Sequence, residues 1–417
     1  MLRISSLRFV FYSPEKSVVT QVRELSVSPS TDLSDLVLAL PEGNYKLVVI
    51  ANPTPKLVAR TAVGSPLSQL TGYEHYYTDE LATQGSQLTV SLLNEQGPVT
   101  VTSAAFSSTT PQVRIQLESV LARVLVYGEP RLAGGAKRGS APAGYVLSPQ
   151  ARYTAPLRPL GLLRTGGSEV AGDGSHPEDR YPTSRMCQEW KDSAPRSLTE
   201  LLSHFALDRM TSHEGGEDIY LARLLPDEQA LAAAVSNIHA YARETTLPPT
   251  AYLVGALPSL VIRFPYIPGG LTLRENEGWV SFRGKYYTES QMKEWIRSDD
   301  FDDSTLAEAV KAARINEDSF TAPFEKGDLR FYYRGYNYYV VPIRHFDDTK
   351  APTKTSIGRY GVVRGAEYRI RLTQILRPGA PVPPDLTADL TPVAEEKNVH
   401  AIVSVRPIVV HSSEIHI

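Results

Sequence analysis

From Val399 to Ile417 the chain is written almost wholly in strand-forming residues. Val399, Ala401, Val403 and Val405 alternate with His400, Ile402, Ser404 and Arg406. That two-residue period belongs to a strand with one buried face. Pro407 interrupts the run, and Ile408, Val409 and Val410 resume it. A proline has no N–H to give to a ladder, so it marks a bulge or an edge. A chain that ends this way either closes one of its own sheets or lends a strand to another molecule. The two outcomes imply different functions.

The first half is also strand material. Leu7, Phe9 and Phe11 point one way from the strand Ile4–Tyr12, and Arg8, Val10 and Tyr12 point the other. A weaker strand, Val18–Val27, follows the turn Ser13-Pro14-Glu15-Lys16. After the turn sequence Pro41-Glu42-Gly43-Asn44, residues Tyr45–Asn52 are apolar on both faces, which predicts a central strand. Between Val113 and Leu132 the alternation changes phase at Glu118-Ser119, the mark of a bulge or bend.

The second half mixes classes. Ser197–Glu200 is a capping box ahead of a short helix, and Asp227–Tyr241 reads as another helix. Thr250–Phe264 reads as strands broken by Gly255 and Pro258. Helices are predicted over Glu289–Arg297 and Asp303–Ala313, the second capped by Asp303 or Ser304. Leu329–Tyr333 and Tyr336–Ile343 read as a hairpin turning at Arg334-Gly335, with its tyrosines packing across the strands. The soft, glycine-rich stretch 165–182 is the expected boundary between two domains, 1–175 and 176–417.

Composition sets limits on function. The 417 residues carry a net charge of −3 with no basic block, which gives no footprint for nucleic acid. No segment reaches the roughly 20 apolar residues that span a bilayer as a helix. Met1-Leu2-Arg3-Ile4 runs straight into a strand without a signal-peptide pattern. The single cysteine, Cys187, makes neither an internal disulfide nor a cysteine zinc site. No metal is predicted: His411 and His416 lie on opposite faces of a strand, and Asp299, Asp300, Asp302 and Asp303 lack the calcium-loop spacing. Those carboxylates fit a helix N-terminus instead. No nucleophile elbow, phosphate loop or dinucleotide fingerprint is present, so no catalytic residue and no cofactor are predicted. A sandwich enzyme acting on carbohydrate would need paired carboxylates converging in a cleft.

Several segments together resemble the fimbrillins of Bacteroides-type bacteria, the type V pilins, in particular their Mfa-like branch. Leu7–Tyr12 followed by Leu40–Asn52 is similar to that family's N-terminal signature, and Val120–Val126 to a recurring strand. Tyr241-Ala242-Arg243-Glu244-Thr245-Thr246-Leu247 resembles a Glu-Asn-Thr motif, with Thr245 where Asn is usual. Tyr338–His345 resembles the Tyr-Tyr-x-x-Pro-Ile-x-His strand. Arg359–Arg364 with Tyr368 is the most specific piece, although Gly365-Ala366 stands where the family has Asn-His. Pro378–Pro381 and the terminal strands complete the ordered set.

The resemblance implies a mainly β protein of two transthyretin-like sandwich domains with helical insertions. Residues 1–175 form the fimbrillin N-terminal type, and 176–417 carry the donor-type strands. It implies a lipidated precursor, and removal of an N-terminal strand by an arginine-specific protease, with Arg3 as a processing remnant. The groove so opened is lined by Leu7, Phe9 and Phe11. A neighbour's strand fills it, through Val399, Ala401, Val403, Val405, Ile408 and Val410. Burying the first four of these, Val399, Ala401, Val403 and Val405, at ~1.5–3 kcal/mol each, less for alanine, would join subunits without covalent chemistry. A contact of this kind does not close on itself, so it propagates a filament.

The expected function is therefore a structural and adhesive subunit of a surface fimbria at the outer membrane, with no catalysis. Its partners are other fimbrial subunits and a host protein or glycan, and the insertions between residues 185 and 315 favour an accessory or tip position. The alternative is a monomeric surface adhesin for glycan or host protein.

Overall fold

The computed structural model describes residues 3–158, 222–231, 238–345, 360–384, 390–391, 399–407 and 412–416, except 29, 32, 34, 73, 85–87 and 108–112; parts of 196–206 are also described. The predicted features at Cys187, Ile408, Val410 and His411 lie outside these residues. The protein is mainly β, with several sheets and a helical insertion.

The first sheet is built from β1 (Ser6–Tyr12), β2 (Val19–Ser26), β3 (Asp35–Val37), β4 (Tyr45–Ala51), β5 (Leu92–Asn94) and β6 (Val113–Ser119). Its order is β2-β1-β4-β5-β6, after which come the chain's last strand, Ser412–His416, and then β3 at the far edge. As its two-faced hydrophobicity predicts, β4 is internal, and Leu47 to Ala51 are buried. Antiparallel pairing sets Phe9 opposite Val49 and Val10 opposite Val48, so β1 is buried on both faces.

The phase change at Glu118-Ser119 is where the chain leaves this sheet. β6 ends at Ser119, and β7 (Ala122–Tyr127) belongs to a different sheet. The corner is held by the Ser119 hydroxyl, which donates to the Leu121 carbonyl at 2.7 Å, and by Val120 N–H, which donates to the Ser91 carbonyl at 3.0 Å.

β8 (Gly144–Leu147) pairs with the long strand β9 (Ser259–Ile267). The boundary expected near residue 175 thus falls between strands that share sheets. A compact module hangs beyond β9. It holds β10 (Trp279–Phe282), β11 (Lys285–Thr288), helices α1 (Glu289–Ser298) and α2 (Ser304–Ala312), then β12 (Phe324–Lys326) and β13 (Leu329–Tyr332). Its four strands run in the order β11-β10-β13-β12 around a separate core that includes Phe282, Met292, Leu306, Val310, Phe320 and Phe331. Thr288 opens α1 with a capping box to Gln291, and Asp303 caps α2 by accepting from the N–H groups of Thr305 and Leu306. One of the four aspartates thus serves as a helix cap.

The chain then returns to β9 as β14 (Tyr336–Pro342), with Pro265 opposite Tyr336 and Ser259 opposite Pro342. The predicted hairpin between β13 and β14 does not form. Arg334 at φ 54° and Gly335 at φ 71° carry the chain round a corner, so β13 pairs with β10 and β14 with β9. The tyrosines follow: Tyr332 stacks on Trp279 at 3.7 Å and 8°, and Trp279 donates to the Tyr266 carbonyl at 2.9 Å. Two further expectations shift. A 3-10 turn occupies Pro249–Ala251, and regular pairing begins only after Pro258. At the end of the predicted helix 227–241, Ile238–Ala240 is also a 3-10 turn.

β15 (Ala366–Ile375) runs parallel to β7, with Arg123 opposite Glu367. On its other side it pairs antiparallel with β16 (Val399–Pro407). β17 (Ser412–His416) then crosses back to the first sheet.

Candidate functional site: an apolar groove beside a buried charge network

The alternation of β1 and β4 places Leu7, Phe9 and Val49 on one face of the first sheet. Ile115 and Leu117 of β6 face them, and Ile4, Leu33 and Leu36 close the sides. Together these apolar side chains line a narrow groove whose enclosed volume is about 10 Å³, room for a single water molecule. Phe11 continues the same face and is fully buried, but it packs edge-on against Tyr45 at 5.7 Å and does not line the groove.

The terminal strand is attached beside this space. β17 lies antiparallel to β6, with Ile115 opposite Ser413 and Val113 opposite Ile415. It lies parallel to β3, with Leu36 opposite Ile415. Among the described residues β3 has no other strand partner, so the tail holds one wall of the groove in place.

The other residues predicted for strand donation sit elsewhere. Val399, Ala401 and Val403 pack on the core of the second sheet, opposite Ile375, Leu372 and Ile370. Val405 lies opposite Tyr368 on the same ladder. Arg3 is exposed, and its carbonyl accepts a hydrogen bond from the Asn52 side-chain amide at 2.8 Å.

Where β6 meets the second half lies a cluster that sequence reasoning did not single out. Glu118, the residue after the groove-lining Leu117, is 5% exposed. Its Oε2 pairs with Arg158 at 2.7 Å, and Arg158 is 3.8 Å from Glu244. Glu244 is fixed by two short ladders, with Ala242 opposite Ala122 and Thr245 opposite Val362. It accepts from Arg364 Nε at 3.0 Å and from the Arg364 backbone N–H at 3.3 Å. The remaining Arg364 nitrogens reach the Pro156 carbonyl at 2.8 Å and the Thr154 hydroxyl at 3.2 Å. Alongside, the Tyr368 hydroxyl accepts from Val363 N–H at 2.7 Å and meets His345 Nδ1 at 2.7 Å.

The environments split the acids. Burial pushes Glu118 up to about 8, more than Arg158 and Arg364 can offset. Burial also acts on Glu244, but Arg364, Arg158 and the hydrogen bonds outweigh it and hold that carboxyl below its usual range. Burial pulls the His345 imidazole down to about 4. Both acids face arginines inside the protein. Among the described residues no group of side chains is arranged to hold a metal ion.

Glu244, His345, Arg364 and Tyr368 come from three separate segments of the sequence pattern, and the fold gathers them at one place. Residues 330–414 match the family described as major fimbrial subunit protein type IV, fimbrillin, C-terminal. This part of the chain is fimbrillin-like. The matched stretch holds His345, Arg364 and Tyr368 together with β14, β15 and β16. Solved structures similar to the whole chain include a fimbrilin (FimA) from Porphyromonas gingivalis, at 14% identity and TM-score 0.42, covering 98% of this chain and 91% of that one. Another is the tip fimbrial protein Mfa3 from Porphyromonas gingivalis with C-terminal truncation, at 10% identity and TM-score 0.38, covering 97% and 94%. No curated protein matches the sequence.

Proposed function

We propose that the chain is a structural and adhesive subunit of a bacterial surface fimbria, joined to its neighbours by exchange of a terminal strand. The observation that carries this reading is the apolar groove on the first sheet, with the chain's own tail bound at its rim. The fimbrillin match over 330–414 supports it. Withdrawing β17 removes the strand partner of β3, and with it the support of Leu36 at the groove. A strand from a neighbouring subunit then finds main-chain groups to pair with and an apolar face for its alternate side chains to pack on.

In this reading Leu7 and Phe9 receive the donor, and the donor is the segment beyond Pro407, including Ile408 and Val410. Val399, Ala401 and Val403 anchor it to the subunit that lends it. The two units are the first sheet with its returning tail and the sheets that follow Ser119. The subunit works at the cell surface, with other fimbrial subunits as partners and Arg3 as the remnant of processing.

The test removes residues 408–417 only, because cutting from Val399 would strip a core residue of the second sheet. Assembly is followed by electron microscopy and native gels, and the fold by circular dichroism. The expected result is a folded chain that no longer polymerises. Filaments of normal length from the shortened chain would overturn strand exchange through this tail.

A further inference from the structure

β6 serves three structures at once. Its first half carries the ladder to β17, Ile115 and Leu117 line the groove, and the next residue, Glu118, enters the buried charge network. The Glu118 carboxyl is served on one side only. Oε2 meets Arg158, while Oε1 is buried with no hydrogen-bond partner among the described residues. Such an oxygen is tolerable while the carboxyl carries a proton and costly once it is charged.

The groups facing it come from every element packed there. Arg158 follows the short strand Tyr153–Thr154, which pairs with Glu74–His75 outside the first sheet, Glu244 and Arg364 belong to the second half, and Glu95 directly follows β5. His345 lies beyond Glu244, hydrogen-bonded to Tyr368. Arg158 and Arg364 favour ionisation of Glu118, while burial, the largest effect, together with Glu244 and Glu95 opposes it.

We propose that Glu118 is a protonation latch: protonated, it keeps β6 seated against the second half, and its ionisation loosens β6 together with the tail strand β17. The latch rests on the assembly reading only for its biological use, since the release of the tail is a property of the single chain. Alkaline conditions free the strand for exchange, and mildly acidic ones hold it in its own molecule. The sign follows from proton binding. The folded state holds the Glu118 proton more tightly than the unfolded state does, so this contribution is full below the usual carboxylate pKa. It is lost as pH rises through about 8.

Gly365 supplies an independent handle. It sits at φ +67°, a conformation asparagine also tolerates, and a Cβ there would lie 3.5 Å from Glu118 Oε2, an ordinary contact. Gly365→Asn would bring an amide donor to the under-served carboxylate and favour its charged form.

The test is amide hydrogen exchange of the dilute full chain from pH 6 to 9, corrected for intrinsic rates and read on peptides covering 113–119 and 412–416. In the unaltered chain, protection of both peptides should fall together, by up to about tenfold per pH unit below the transition, and level off above it. Glu118→Gln should flatten the profile. Gly365→Asn should move the step to lower pH, which keeps the proposal testable where Glu118→Gln fails to fold. A flat profile in the unaltered chain, an unchanged profile in Glu118→Gln, or an unmoved step in Gly365→Asn would each overturn the latch. A flat profile together with loss of polymer on removing 408–417 rejects the latch and leaves strand exchange standing. A clear step with normal polymer from the shortened chain rejects strand exchange alone.

Discussion

Replacing Arg364 with methionine should be among the most damaging single changes in the molecule. The side chain is 1% exposed and donates to Glu244, the Pro156 carbonyl and the Thr154 hydroxyl. Methionine fills much of the space but donates nothing. Glu244, 6% exposed, then keeps only the backbone N–H of residue 364 at 3.3 Å and Arg158 at 3.8 Å, the latter too far for a good hydrogen bond. Removing one partner of a buried pair costs about 3–5 kcal/mol, because the other charge stays in the dry interior. Replacing both partners with apolar groups of similar size avoids that penalty, so Arg364→Met combined with Glu244→Met should recover a large part of the loss. The measurement is a double-mutant cycle from urea unfolding at pH 7, with m-values compared to confirm a common unfolding reaction. A loss below ~1 kcal/mol for Arg364→Met, or additivity within ~0.5 kcal/mol, would refute the claim that this pair holds the junction together.

Two further expectations concern the neighbours of that pair and the groove. His345 is held neutral by burial, so its contribution is present above the ordinary histidine pKa and is lost as pH falls through about 4. Unfolding midpoints measured from pH 7 to 4 should drop less steeply in His345→Phe than in the unaltered chain, and parallel curves would refute the assignment. Phe9→Ala and Phe11→Ala should each cost about 3–5 kcal/mol, since both rings are fully buried. Only Phe9→Ala enlarges the groove, so it alone should alter capture of a peptide matching residues 408–417, read by isothermal calorimetry on the tail-deleted chain.

Much of the β architecture is legible in the sequence because alternation reports which face of a strand is buried. Leu7 and Phe9 are such a case, and the two-faced run at Tyr45–Ala51 correctly reads as internal. Alternation does not report which sheet a strand joins. The phase change at Glu118-Ser119 is visible as a bend, but the change of sheet there depends on pairing with residues over two hundred positions away. For the same reason Leu329–Tyr332 and Tyr336–Pro342 read as a hairpin yet pair with different strands. The charge network is hidden by a different cause. Glu244 and Arg364 are 120 residues apart, and nothing local distinguishes a buried ion pair from two exposed charges. The one available signal is context: Arg364 follows the apolar Gly361-Val362-Val363, and Arg344-His345 follow the apolar Val340-Val341-Pro342-Ile343.

The module between β9 and β14 departs and returns across one strand spacing, since Ile267 ends one strand and Tyr336 begins its neighbour. A ladder joined at that point needs only a few residues to close, and the rest is cargo. Its own packed interior lets it vary in size and surface without re-registering the strands beneath. Such a site is a natural graft point, where a lineage can exchange what it displays to the outside while keeping the scaffold that carries it.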